Sequence, residues 1–257
     1  MVTGTSSAER PRLVGVGVGP GDPELVTLRA VRELANADVI LVPATERSAD
    51  GPGRAEQVVT GCCPQAAGAL RRVPFSMADR QGVTARRQEA WETSAAIALE
   101  AFAAGARSVV LATVGDPSVY STFSYLAAHV SDQLPDVRVE VVPGITAMQA
   151  LAAASRVPLV EGSEVLALVP VTAGMDTLDR ALELADTVVA YKGGRQLPEV
   201  LTRLREADRL AGTVLGTDVS LPVERLTRLD EWTPGERAPY FSTILAPARR
   251  TGVGGRL

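Results

Sequence analysis

Apolar, β-branched runs alternate with helix-spaced apolar positions along most of this chain, and short turns separate them. Leu13 to Val18 alternates with glycine and predicts a buried strand. After the turn, Leu25, Leu28, Val31 and Leu34 recur at helical spacing. Asp38 to Pro43 reads as a second strand ending at proline, with shorter ones at Gln57-Val58-Val59 and near Arg72 to Phe75. A long helix is predicted from about Thr84 to Ala104, capped by Gly105. Ser108 to Ala112 is a further strand, a helix covers Tyr120 to Ala128, and the strand Val137 to Val142 closes on Pro143-Gly144.

The alternation then restarts. Helices are predicted at Thr146 to Ala154, Leu178 to Leu184 and Leu197 to Glu206, and strands at Val165 to Val169, Thr187 to Tyr191, Thr213 to Gly216 and Tyr240 to Leu245. Strand and helix in alternation predict an α/β fold built on a mostly parallel sheet covered on both faces. The expected domains are residues 12–144 and 145–247, hinged at Pro143-Gly144, between a disordered tail 1–11 and a frayed tail 248–257. Turn chemistry makes Pro158 to Gly162 the alternative boundary.

Composition narrows the class. A chain of 257 residues suits two α/β lobes, and 46% hydrophobic with 22% charged residues is ordinary for a globular protein. No apolar run approaches the ~20 residues of a membrane span, and Met1 to Pro11 lacks the pattern of a signal peptide, so the cytoplasm is the expected compartment. A net charge of -4 argues against nucleic acid as the main partner. Lys192 is the single lysine among 26 basic residues. A GC-rich genome accounts for that excess of arginine, whose planar fork would also suit a polycarboxylate ligand. Cys62 and Cys63 are adjacent without a Cys-x-x-Cys partner, and with the lone His129 they form no zinc set, so neither thiol nor metal chemistry is expected.

Two Gly/Pro turns carry the candidate chemistry. Gly15 to Pro23 and Ala112 to Ser118 each follow an apolar strand and each contain Gly-Asp-Pro. Both therefore sit at carboxyl ends of strands, where open α/β sheets bind ligands. In the first, Pro20 stands where the dinucleotide fingerprint needs glycine, and no Lys-Ser/Thr follows, so it is neither that fingerprint nor a P-loop. Asp22 as N-cap with Pro23 at N1 explains two positions as a plain helix start. Close approach of a ligand explains the four glycines Gly15, Gly17, Gly19 and Gly21. Asp116 has the same two readings, a cap for a helix beginning at Pro117 or a carboxylate that binds an ammonium or a ribose hydroxyl.

In combination, the segments Val16 to Leu28, Val114 to Leu126 and Val141 to Ala147 resemble the tetrapyrrole (corrin/porphyrin) methyltransferases. The run Ser118 to Leu126, with Tyr240-Phe241-Ser242-Thr243, is similar to the branch acting at C20 of precorrin-2. The resemblance spans about residues 12 to 247. It implies a two-domain fold with a mixed C-terminal sheet, a homodimer, a small-molecule tetrapyrrole substrate, no membrane partner, and S-adenosyl-L-methionine as methyl donor. Carried over by motif, Pro20, Val114, Gly115, Asp116, Val119, Thr146 and Ala147 line the donor's pocket, and Lys192 contributes by its backbone. Arg47 is the candidate partner of the substrate's carboxylates, against the plain reading of a solvated loop arginine. Tyr120 faces the macrocycle or fills the core, while Tyr125 is expected in the core. No residue is assigned as the general base. The cobalt-bearing form of precorrin-2, the substrate of the anaerobic route, is the alternative within the family; a dinucleotide-dependent oxidoreductase and a non-catalytic nucleotide-binding module are the competing functions from other classes, and NAD binding separates the first of these.

Overall fold

A computed structural model describes residues 10–44, 51–75, 84–232, 238–239, 242–250 and 252. Arg47 and Tyr240-Phe241 lie outside the described residues. Contacts divide the chain into two compact units, the change falling between Thr146 and Ala147.

The first unit runs β1 (Arg12–Gly17), α1 (Leu28–Ala35), β2 (Val39–Ala44), α2 (Arg54–Cys62), β3 (Leu70–Pro74), α3 (Ala85–Ala103), β4 (Ser108–Thr113), α4 (Phe123–Gln133) and β5 (Arg138–Val142). Its five strands are all parallel, in the order β3-β2-β4-β1-β5. The inner strands β1 and β4 are buried almost throughout, as a sheet covered on both faces requires. On one face, Ala30 and Leu34 of α1 and Ala55, Val58 and Val59 of α2 pack on Val14, Val16 and Val110. On the other, Ala95 and Ala98 of α3 and Phe123, Leu126 and Val130 of α4 pack on Leu13, Leu41 and Leu111.

The second unit runs α5 (Ala147–Ser155), β6 (Leu166–Pro170), α6 (Met175–Leu184), β7 (Thr187–Tyr191), α7 (Leu197–Glu206), β8 (Val214–Thr217), β9 (Arg225–Arg228) and β10 (Ser242–Ala246). The sheet order is β6-β7-β10-β8-β9; β6 and β7 are parallel and the other pairs antiparallel, so the sheet is mixed. Leu178, Leu182, Val200, Leu201 and Leu204 of α6 and α7 cover one face, and Ala150 and Leu151 of α5 the other.

Several sequence expectations are corrected. Gln57-Val58-Val59 is not a strand but the middle of α2, because Ala55, Val58 and Val59 share one helical face toward the core. Asp22 caps only a 3-10 turn, Pro23–Leu25, accepting the Glu24 N–H at 2.9 Å. The helix itself starts at Leu28, where Thr27 Oγ1 accepts the Ala30 N–H at 3.1 Å, and Leu28 is left 81% exposed. Likewise α4 starts at Phe123, not at Pro117 or Tyr120, since Tyr120 has a left-handed φ of 52° that no right-handed helix accommodates. His129 therefore lies inside that helix. Tyr125 is not core: it is 41% exposed, with its ring stacked on Trp91 at 4.0 Å between centroids. The strand β9 escapes prediction because it is a polar, mostly exposed edge without apolar alternation. The chain ends are held further out than the expected tails. The Pro11 carbonyl accepts the Arg138 N–H at 2.8 Å, Ala248 N–H donates to Thr187 Oγ1 at 3.0 Å, and Arg250 pairs with Glu164 at 2.6 Å.

Candidate active site

Strand order locates the candidate site of the first unit. The connection leaving β1 crosses on the α1/α2 face, whereas the one leaving β4 crosses on the α3/α4 face. These strands are neighbours, so their carboxyl ends form the switch point where loops part to opposite faces and a crevice opens. The two Gly/Pro turns leave from those ends.

The turns lock to each other through main chain. Gly115 N–H donates to the Gly19 carbonyl at 2.7 Å and Gly19 N–H returns a bond to the Gly115 carbonyl at 3.4 Å. Both glycines take left-handed backbone, φ 75° and 74°. The turn after β5 closes in from the other side. A Cβ on Gly17 would lie 2.6 Å from the Gly115 carbonyl oxygen and 2.7 Å from Gly144 N; one on Gly144 would lie 2.2 Å from that same oxygen. A Cβ on Gly15 would enter the Phe123 ring at 2.6 Å. These contacts correct the expectation that ligand approach explains the first turn's glycines: Gly15, Gly17 and Gly19 are demanded by the chain's own packing. Gly115 differs. Among the described residues its Cβ would meet only Thr146 Cα, at 3.9 Å, so they leave the space beside this backbone open.

Asp116 holds the arrangement. It is 8% exposed, and its Oδ1 accepts the Ser118 N–H at 2.7 Å and the Ser118 hydroxyl, while Oδ2 accepts the Gly144 N–H at 2.9 Å. Burial pushes its pKa up, but the bonds from Ser118 and Gly144 outweigh that and hold it below the usual aspartate value. The carboxylate is thus a buried, ionised clamp joining the β4 and β5 turns across the end of β1. It caps no helix, and its oxygens are engaged inside the protein.

The other candidates of this unit lie along the same edge. Pro20 is buried beside Gly19, Val114 is half-buried against the core, and Val119 N–H donates to the Asp116 carbonyl at 3.2 Å. Thr146 is buried next to Gly115. Tyr120 is 43% exposed on a left-handed residue, which excludes the core reading, and burial of its hydroxyl raises its pKa. In the second unit, Ala147 opens α5 and Lys192 follows β7 with φ 62°. Gly144 and Ser118 were not singled out from the sequence as the partners of Asp116. The Pro-Gly turn reads as a hinge in sequence, and nothing local shows that Asp116, 28 residues earlier, accepts its N–H.

An open parallel sheet in the order β3-β2-β4-β1-β5, with glycine turns interlocked at its switch point, defines a ligand-binding α/β protein distinct from the dinucleotide-binding 3-2-1-4-5-6 arrangement. The chain belongs to the tetrapyrrole (corrin/porphyrin) methylases, whose family model matches residues 12–231. The precorrin-2 C(20)-methyltransferase of Sinorhizobium sp is 35% identical over 239 residues, which cover 92% of this chain and 95% of that one. The cobalt-precorrin-2 C(20)-methyltransferase of Salmonella typhimurium is 30% identical over 242 residues, covering 91% and 95%. Among solved structures, a cobalt precorrin-4 methyltransferase shares the fold, with a TM-score of 0.68 at 22% identity over 92% of this chain and 94% of that one. A uroporphyrin-III C-methyl transferase from Thermus thermophilus, complexed with S-adenyl homocysteine, gives a TM-score of 0.61 at 26% identity over 91% and 97%.

Proposed function

We propose that this chain transfers the methyl group of S-adenosyl-L-methionine to C20 of precorrin-2, in cobalamin biosynthesis. The observation that carries the reading is the near full-length similarity to the Sinorhizobium precorrin-2 C(20)-methyltransferase. The interlocked edge at the ends of β1 and β4 supports it by supplying a fitting donor site. When bound, S-adenosyl-L-methionine supplies an electrophilic methyl carbon on a sulfonium. Gly115 leaves room for the ligand against bare backbone, with Pro20, Val114, Val119 and Thr146 around it. Asp116 fixes that backbone and does not serve as the base that takes the C20 proton, because it is held ionised by three donors. Positioning of this kind supplies ~7–11 kcal/mol in favourable reactions. Ala147 and Lys192 are the donor contacts of the second unit. Tyr120 and Arg47 belong to the macrocycle side, Arg47 as a partner for its carboxylates. The enzyme works as a cytoplasmic homodimer, which light scattering tests for the oligomer.

The deciding experiment incubates the protein with S-adenosyl-L-methionine and either precorrin-2 or its cobalt-bearing analogue, then locates the new methyl by NMR. Methylation at C20 of precorrin-2, with S-adenosylhomocysteine released, is expected. Turnover of the cobalt form alone reassigns the substrate. A methyl elsewhere on the ring, or calorimetric binding of NAD alone, overturns the reading.

A further inference from the structure

We infer that Tyr191 is a positioning residue of the methyl-donor site, acting through the main chain of the two donor contacts proposed in the second unit. Tyr191 is the last residue of β7, paired with Thr243 of β10 and with Pro170 of β6. Side chains alternate across this strand. Val188 and Ala190 face the α6/α7 core, while Val189 and Tyr191 face α5 among Ala150, Leu151, Val214 and Leu245. The Tyr191 hydroxyl therefore reaches the start of α5, where it accepts the Met148 N–H at 2.8 Å.

That bond has consequences on both sides. Met148 is the second residue of α5, and its N–H is one of the first-turn donors that a helix cannot satisfy internally. Tyr191 supplies the acceptor from a strand 43 residues away, which fixes the adjoining Ala147 relative to the sheet. On its own strand, Tyr191 directly precedes Lys192, whose φ of 62° is costly for a residue with a side chain and persists only where the surroundings impose it. One ring, clamped by two strands at its backbone and by a helix amide at its tip, sets where the backbones of Ala147 and Lys192 stand relative to each other. A phenylalanine would fill the same apolar space and lose only the tip. The inference rests on the proposed donor contacts of Ala147 and Lys192, and its test separates the two claims.

The test compares the full chain with Y191F by calorimetry with S-adenosylhomocysteine, by steady-state kinetics, by thermal melting and by hydrogen exchange at the Met148 amide. Wild-type protein that fails to bind S-adenosylhomocysteine overturns the proposed function itself. With wild-type binding established, Y191F is expected to exchange the Met148 amide faster. It should bind S-adenosylhomocysteine about tenfold more weakly, the equivalent of ~1.4 kcal/mol. The KM for the methyl donor should rise by a similar factor, with kcat and the KM for the tetrapyrrole within about twofold. Faster exchange with unchanged donor affinity overturns the inference and leaves the bond a helix cap. Equal loss of affinity for both ligands with a collapsed melting temperature also overturns it.

Discussion

Asp116 Oδ2 accepts the Gly144 N–H at 2.9 Å, joining the turns after β4 and β5 across the end of the strand between them. The shape of the candidate donor site depends on that bond, because Gly17, Gly115 and Gly144 meet there with no side chain between them.

Replacing the carboxylate by its amide removes an acceptor and inserts a donor. In Asp116→Asn, one amide face must confront either the Gly144 N–H or the Ser118 donors, and a buried N–H left without a partner costs ~1–3 kcal/mol. The variant is expected to unfold at lower urea concentration and to bind S-adenosylhomocysteine about tenfold more weakly, at ~1.4 kcal/mol per factor of ten. Wild-type affinity in calorimetry would remove Asp116 from the donor site.

The same carboxylate gives a pH signature. Its pKa is depressed in the folded protein, so it contributes stability that is fully present above the ordinary aspartate pKa of about 3.9. That contribution is lost as pH falls from the ordinary value through the depressed native one. Melting temperatures of wild type and Asp116→Ala should therefore differ by a constant amount from neutral pH down to about 5, and the gap should narrow progressively below about 4. A gap that widens with acid would reverse the assigned direction.

Gly144 and Gly115 should fail differently. A methyl on Gly144 meets carbonyl oxygen and backbone carbon at 2.2 to 2.8 Å, where no flexible side chain can yield. Gly144→Ala should lose ~1–3 kcal/mol of stability from overpacking. Among the described residues Gly115→Ala meets only Thr146 Cα, at 3.9 Å, so its cost is the left-handed backbone, ~1–2 kcal/mol. Gly115→Val should fold yet lose S-adenosylhomocysteine binding in calorimetry, since its larger side chain fills the space beside the turn. Undiminished binding by Gly115→Val would place the donor elsewhere.

Arg209 offers a control away from the site. Its guanidinium donates to the carbonyls of Leu182, Ala185 and Asp186 at the end of α6 and to those of Ala246 and Pro247 at the end of β10. Burial lowers its pKa, and the planar fork lets one side chain serve both ends. Arg209→Lys keeps the charge but cannot span the cluster, and should cost ~1–3 kcal/mol in denaturant melts. Affinity for S-adenosylhomocysteine should not change, because these carbonyls cluster at the end of β7 opposite Lys192.

Arg47 is tested on the substrate side. If it pairs with the macrocycle's carboxylates, Arg47→Ala raises the KM for precorrin-2 roughly ten- to hundredfold, as losing a charge-assisted bond of ~1.5–3 kcal/mol predicts. Affinity for the methyl donor stays constant, and the effect shrinks as salt rises. No change in KM returns Arg47 to the solvated surface.

The sequence by itself determined the α/β class, most strand positions and the family. These rest on local signals: apolar runs such as Ser108 to Thr113 that must be buried, helical spacing in α7, and Gly/Pro turns at strand ends. It misplaced elements where the local signal was ambiguous, as at Val58-Val59, or where a cap served a turn and not a helix, as at Asp22 and Asp116. Tertiary structure alone decided what the residues of the site do. The glycines of the first turn face the chain's own carbonyls and the Phe123 ring, Asp116 reaches the turn after β5, and Tyr191 reaches the amide of Met148. Each of these contacts joins residues far apart in sequence. Periodicity and turn chemistry report how a segment folds on itself, as the bonds from Ser118 to Asp116 do, whereas the tertiary fold decides which distant segments meet, and only that meeting gives Asp116 the Gly144 donor and the Met148 amide its acceptor.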